Sequence, residues 1–159
     1  MSNHAFLSVR GRLKAVAVID ADLRKIVARR FKGCVQVSSC DYDYGPENEP
    51  MWHVCISGHE NMCSWNIWVA SRRKLETRHS HGDVNSWTQA VVLNELAVLY
   101  DGLLSDEGVP DIWKGTARKY PTLGSYMKAM SFSKSAYATG ILRNLKEEYR
   151  KILPAKLVG

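Results

Sequence analysis

The chain of 159 residues lacks the features by which a sequence most directly declares a location or a chemistry. No apolar run approaches the roughly eighteen residues that a membrane-spanning helix requires. The opening MSNHAFLSVRGR has neither the long apolar stretch nor the small-residue cleavage site of a signal peptide. A cytoplasmic protein with no membrane partner is the expectation. Cys34, Cys40, Cys55 and Cys63 stand at irregular spacings with no C-x-x-C pair, which favours reduced thiols over a disulfide framework. There is no internal repeat, no low-complexity segment and no catalytic or metal-site signature of high specificity, so the sequence calls for no cofactor and leans away from an enzyme.

What is present is a chain of 45% apolar and 24% charged residues, long enough for one buried core and too short for two. Residues 1–159 therefore read as a single α+β domain. The net charge of +6 is built from blocks: +6 over residues 1–40, −5 over 41–60, +3 over 61–80, −6 over 81–112 and +8 over 113–159. Segregation of this kind places basic elements side by side on a polyanion-binding face, or else packs acidic against basic elements so that they cancel.

Residues 34–74 hold all four Cys and three of the five Trp, and they are the only part that reads as sheet. Before them, Leu13, Val16, Ile19, Leu23, Ile26, Val27 and Phe31 recur at helical spacing from Arg12 to Lys32, and Gly33 stops the helix. A rival parse makes 13–19 a strand. Residues 2–11 carry no readable role. Val35, Val37, Tyr42 and Tyr44 predict a first strand, Trp52, Val54 and Ile56 a second, and Trp65, Ile67 and Val69 a third, with Pro46 and Pro50 confined to the first turn. The segment after Lys74, LETRHSHGD, is too polar for the core. Asp83 or Asn85 caps a second helix whose apolar face includes Trp87, Val91, Leu96, Val98, Leu99 and Leu103. Two more helices, 122–130 and 133–153, close the chain. The prediction is helix, three-stranded antiparallel meander, helix over about 12–104, then a two-helix extension within 113–159.

With that order in hand, GPENEPMW and Ser71-Arg72-Arg73-Lys74 resemble the double-stranded RNA-binding domain family. The first looks like the family's Gly-Pro-x-His loop between two strands, and the second like the Ser and basic cluster that open its second helix. The resemblance covers about residues 13–104. It implies that Gly45, Pro46 and Asn48 enter the minor groove of duplex RNA while Arg72, Arg73 and Lys74 bridge phosphates, with Arg24, Lys25 and Arg29 of the first helix adding a third contact. Asn48 stands where the family has His, and Glu47 and Glu49 put negative charge into that loop.

Three further constellations carry chemistry. His53, Cys55, His59 and Cys63 offer thiol and imidazole ligands for zinc, at a spacing that fits no standard module. His79, His81 and Asp83 offer an acid and a base for phosphodiester hydrolysis. Tyr42, Tyr44, Trp52 and Trp68 offer stacking surfaces for unpaired bases, or simply a core. The leading expectation is a non-enzymatic nucleic-acid-binding protein acting through basic clusters on duplex RNA or DNA. The alternatives are a small inhibitor or regulator that binds a partner protein, and a small phosphodiesterase using the His-x-His loop.

Overall fold

The computed structural model describes residues 3–42, 49–59, 64–79, 83–106, 121–130 and 136–159. The fold is α+β. Strand β1 (Asn3–Ser8) precedes helix α1 (Val16–Phe31), and four strands follow: β2 (Val35–Tyr42), β3 (Glu49–Ile56), β4 (Ser64–Ser71) and β5 (Lys74–His79). Helix α2 (Asp83–Leu99), strand β6 (Leu103–Asp106) and helices α3 (Leu123–Met130), α4 (Ala136–Tyr149) and α5 (Ala155–Val158) complete the order. The strands form one antiparallel sheet in the order β2-β3-β4-β5-β1-β6.

The predicted three-stranded meander is thus four-stranded, and it lies inside a six-stranded sheet. Two segments account for the difference. LETRH after Lys74 is polar because it alternates, Leu75 and Thr77 buried and Glu76 and Arg78 on the other face, as in a strand covered on one side. NHAFLS, without a reading from sequence, inserts between β5 and β6 and buries Ala5 and Leu7. Pro50 belongs to β3 rather than to the turn. Its missing N–H faces β4, whose pairing with β3 begins one residue later at Met51, so no ladder bond is lost.

One face of the sheet carries Leu7, Val35, Trp52, Val54, Ile56, Trp65, Ile67 and Leu75 against the helices. Helix α1 buries Ile19, Leu23, Ile26, Val27 and Phe31, the predicted stripe, but begins at Val16 rather than Arg12. Helix α2 is the centre of the core. Val84, Trp87, Ala90, Val91, Val92, Leu93 and Leu96 are all buried, which takes up more than one face of the helix and leaves it packed between the sheet, α1 and α3. Its Trp87 meets Phe31 edge-on, with ring centroids 5.2 Å apart. The expected burial of Val98, Leu99 and Leu103 is not found. They are 64%, 55% and 70% exposed, because the stripe that meets the sheet ends at Leu96.

Buried polar groups on α2 tie the helix to the sheet. Trp65 Nε1 donates to Thr88 Oγ1 at 3.0 Å, and that hydroxyl donates to Val84 O at 2.9 Å. Gln89 Nε2 donates to Thr77 Oγ1, which reaches Ala5 O at 3.4 Å, so one chain of contacts runs from α2 through β5 to β1. The turn from α2 into β6 passes so close to β1 that a Cβ on Gly102 would stand 2.6 Å from Leu7 Cδ1 and 3.0 Å from Ser8 O. No helix among the described residues is long and apolar enough to cross a membrane.

Candidate polyanion-binding surface

Ser71, Arg72 and Arg73 do not open a helix; they form the turn that joins β4 to β5, with Ser71 opposite Lys74. The register slips between Val69 and Ser71, and the Arg73 N–H donates to Ser71 Oγ at 3.2 Å, closing a tight tip in solvent. The second helix begins only at Asp83, after the whole of β5.

What stands beside this tip is the chain leaving β1. Because β1 pairs antiparallel with β5 and ends with Ser8 opposite Lys74, the next residues run alongside the turn. Val9 N–H donates to Arg73 O at 2.9 Å and Leu13 N–H donates to Arg72 O at 2.8 Å. These two bonds bring Arg10, Arg12 and Lys14 to the same end of the sheet as Arg72, Arg73 and Lys74. Arg10, Arg12, Lys14, Arg72 and Arg73 are exposed, and none of them has a carboxylate partner among the described residues. Lys74 is half-buried, with its Nζ 4.8 Å from the centroid of the Phe6 ring. Six cations at one end of the sheet repel one another, a cost that a bound polyanion removes.

Two helix ends shape the field here. Helix α1 starts directly after Lys14, with no acidic residue in its first turn and no side-chain cap from Ala15, so its positive end adds to the cations. The C-terminal end of α2 contributes the opposite sign. A recess of about 160 Å³ is lined by residues 9–14 together with Tyr100 and Asp101, and α2 has no basic residue of its own in its last turn. The 10–14 loop supplies those cations from outside the helix. The Tyr100 hydroxyl donates to Asp22 at 2.6 Å, and burial, with Asp22 second, pushes the phenol far above its ordinary range, so it adds no charge.

The basic residues of α1 named from sequence behave differently. Arg24 Nε donates to Asp20 at 3.0 Å and its Nη1 to Val37 O at 2.7 Å. Arg29 Nη2 donates to Glu95 at 2.7 Å, and Arg30 contacts the other oxygen of the same carboxylate. Arg24 and Arg29 thus hold bonds within the fold although both side chains are exposed, whereas Lys25 is exposed with no such partner among the described residues. Asn48, with Gly45 and Pro46, lies outside the described residues.

A cleft of about 630 Å³ opens between the first turns of α1 and the Ser39–Trp52 end of the β2–β3 pair. Its Asp20, Arg24 and Trp52 side chains are already hydrogen-bonded within the fold. Asp20 accepts from Arg24 Nε and, at 2.9 Å, from Trp52 Nε1, and these bonds, Arg24 first, hold its carboxyl below the ordinary carboxylate range. An ionised, doubly bonded carboxylate is a poor general base. Trp52 itself is 1% exposed and offers no stacking surface.

His53 and Cys55 lie on the sheet face away from the helices, and His53 Nδ1 donates to Asn66 Oδ1 at 2.8 Å. His59 sits in the turn after β3, while Cys63 lies outside the described residues. Among the described residues no group of three or more His, Cys, Asp or Glu is placed to hold a metal ion. Cys55 is buried and Cys34 half-buried, neither in a disulfide, and burial pushes the Cys34 thiol upward, away from reactivity. His79 ends β5 opposite Trp65, and Asp83 begins α2; His81, between them, lies outside the described residues.

No family model matches the sequence and no curated protein matches it. The geometry of the chain itself therefore carries the functional reading. Sequence reasoning missed Arg10, Arg12 and Lys14. The signal was the charge of VRGRLK, but joining it to Arg72 and Arg73 required knowing that NHAFLS is a strand and where it pairs.

Proposed function

We propose that the protein is a non-catalytic nucleic-acid-binding protein whose phosphate-binding surface is formed by Arg10, Arg12, Lys14, Arg72, Arg73 and Lys74. The observation that carries this reading is the pair of backbone hydrogen bonds, Val9 to Arg73 and Leu13 to Arg72, that joins two basic segments distant in sequence into one exposed surface. Such a surface addresses phosphates and positions a nucleic acid without reading its bases. Arg72, Arg73 and Lys74 stand at a hairpin tip rather than at a helix start, so the reading rests on charge placement and not on the duplex-RNA docking geometry that the resemblance implies.

The test is a titration of duplex RNA, duplex DNA and single strands over a range of salt. Counterion release makes the logarithm of affinity fall linearly with the logarithm of salt, with a slope of about −0.9 per phosphate neutralised on duplex DNA. Engagement of most of this surface predicts a slope of about −4 to −5 by the same relation. Affinity that stays flat with salt would remove nucleic acid as the ligand.

A further inference from the structure

The end of the molecule that carries the unpartnered cations also carries its exposed apolar side chains. Among the described residues, the large apolar side chains left exposed are Val16, Val18, Val98, Leu99 and Leu103. Their places follow from the topology. Val16 and Val18 belong to the first turn of α1, which starts directly after Lys14. Val98 and Leu99 close α2, just before Gly102, whose backbone lies against Leu7 and Ser8. Leu103 faces Ser8 across the β1–β6 ladder, and Ser8 in turn faces Lys74. The Tyr100 hydroxyl, bonded to Asp22, ties the two helix ends together. Exposed apolar residues scattered singly are ordinary; here three separate elements deliver theirs to one end.

The charge beside these residues selects what covers them. Residues 9–18, 71–74 and 98–103 form this end, and they hold six cations against one carboxylate, that of Asp101. A second copy of the chain would cover the aliphatic side chains but would set a like-charged end against Arg10, Arg12, Arg72 and Arg73. A nucleic-acid backbone meets the cations and leaves the aliphatic side chains in water. Val18, Val98, Leu99 and Leu103 line neither of the two clefts described above, so they do not form a groove for a peptide there. An anionic lipid surface satisfies both sets at once. Its headgroups meet the guanidinium and ammonium groups, and the boundary between headgroups and acyl chains takes the aliphatic side chains.

We propose that this end of the molecule is a peripheral docking surface for anionic membranes, with the cations on the headgroups and Val98, Leu99 and Leu103 in the interfacial layer. Docking of this kind needs no spanning helix. Electrostatic attraction and apolar burial contribute separately to it, so substitution can remove one and keep the other. The cations are shared with the nucleic-acid reading above, so a bilayer and a nucleic acid compete for this end. The aliphatic residues serve the bilayer alone.

Co-sedimentation of the full chain with vesicles of equal parts phosphatidylserine and phosphatidylcholine, and with vesicles of phosphatidylcholine alone, tests this. Binding is expected to the first and not to the second. The triple variant Val98→Ser, Leu99→Ser and Leu103→Ser should weaken vesicle binding by roughly tenfold or more, because each aliphatic side chain forfeits its transfer out of water. Its nucleic-acid affinity and salt slope should match those of the wild type. Should the triple variant lose its circular dichroism, Leu103→Ser alone decides, at the most exposed of the five, with an expected weakening of roughly threefold. Vesicle binding without nucleic-acid binding would support the proposal and remove only the reading above. No binding to phosphatidylserine vesicles, equal binding to both kinds of vesicle, or binding that the Ser variants leave in place overturns the proposal. Equal loss of vesicle and nucleic-acid binding in those variants overturns it as well, by assigning the aliphatic residues to nucleic acid.

Discussion

The two ends of the basic content of this protein make an instructive contrast. On α1, Arg24, Arg29 and Arg30 face carboxylates at hydrogen-bond distance, and Glu95 serves two guanidinium groups from a side chain only 17% exposed. At the β1–α1 loop and the β4–β5 tip, Arg10, Arg12, Arg72 and Arg73 stand in solvent with no acid partner among the described residues. The residue types are the same, yet one set contributes to the fold and the other leaves its charge available. Charge content cannot separate the two; the neighbouring element does.

The largest expected effect falls on the unpartnered set. Replacing Arg10, Arg12, Arg72 and Arg73 together with Ala removes about 1 kcal/mol or more per phosphate contact, which lowers nucleic-acid affinity at low salt by roughly a thousandfold. Thermal unfolding should scarcely change, since surface substitutions without packing or caps fall within about 0.5 kcal/mol each. A filter-binding titration beside a melting curve checks both halves. A melting temperature that collapses while binding survives would mean that the cations serve the fold, through the C-terminal end of α2.

Glu95→Ala inverts the pattern. It leaves Arg30 half-buried without its partner and should cost about 2 kcal/mol in denaturant unfolding, with binding unchanged at temperatures where the variant is folded.

Asp20→Ala comes next. It orphans the buried Trp52 N–H and should cost about 1–3 kcal/mol. The pH dependence has a defined sign. Because Arg24 and then Trp52 hold the Asp20 carboxyl below its ordinary value, its contribution is complete above the unfolded carboxylate value of about 3.9 and is lost as pH falls through the lower folded value. The stability difference between wild type and Asp20→Asn should therefore shrink in acid. A difference that holds constant to the lowest accessible pH would contradict the assignment.

The smallest effect belongs to Arg29, whose side chain is 60% exposed despite its bond to Glu95. Arg29→Ala should cost less than about 1 kcal/mol, because solvent screens the pair and Arg30 still holds the carboxylate.

Some of this was legible from residues alone. The stripe Ile19, Leu23, Ile26, Val27 and Phe31 identified α1, since a period of 3.6 sustained over four turns has one reading. The alternation through Val54 and Ile67 identified the central strands. NHAFLS and KLETRH were not legible, because six residues covered on one side give only two or three alternations, which a loop produces as readily. The cost of those two omissions was functional. Without β1 and β5 there is no pairing of Ser8 with Lys74, and the loop carrying Arg10 and Arg12 has no address.

The sequence by itself therefore determined an α+β class, the elements that carry long apolar periodicity, and an uneven distribution of charge. Local patterning suffices for these because backbone geometry repeats within each element. Tertiary structure decided which of the described cations are neutralised and which are left together. Those outcomes depend on pairings between residues far apart in the chain, and no local period encodes them.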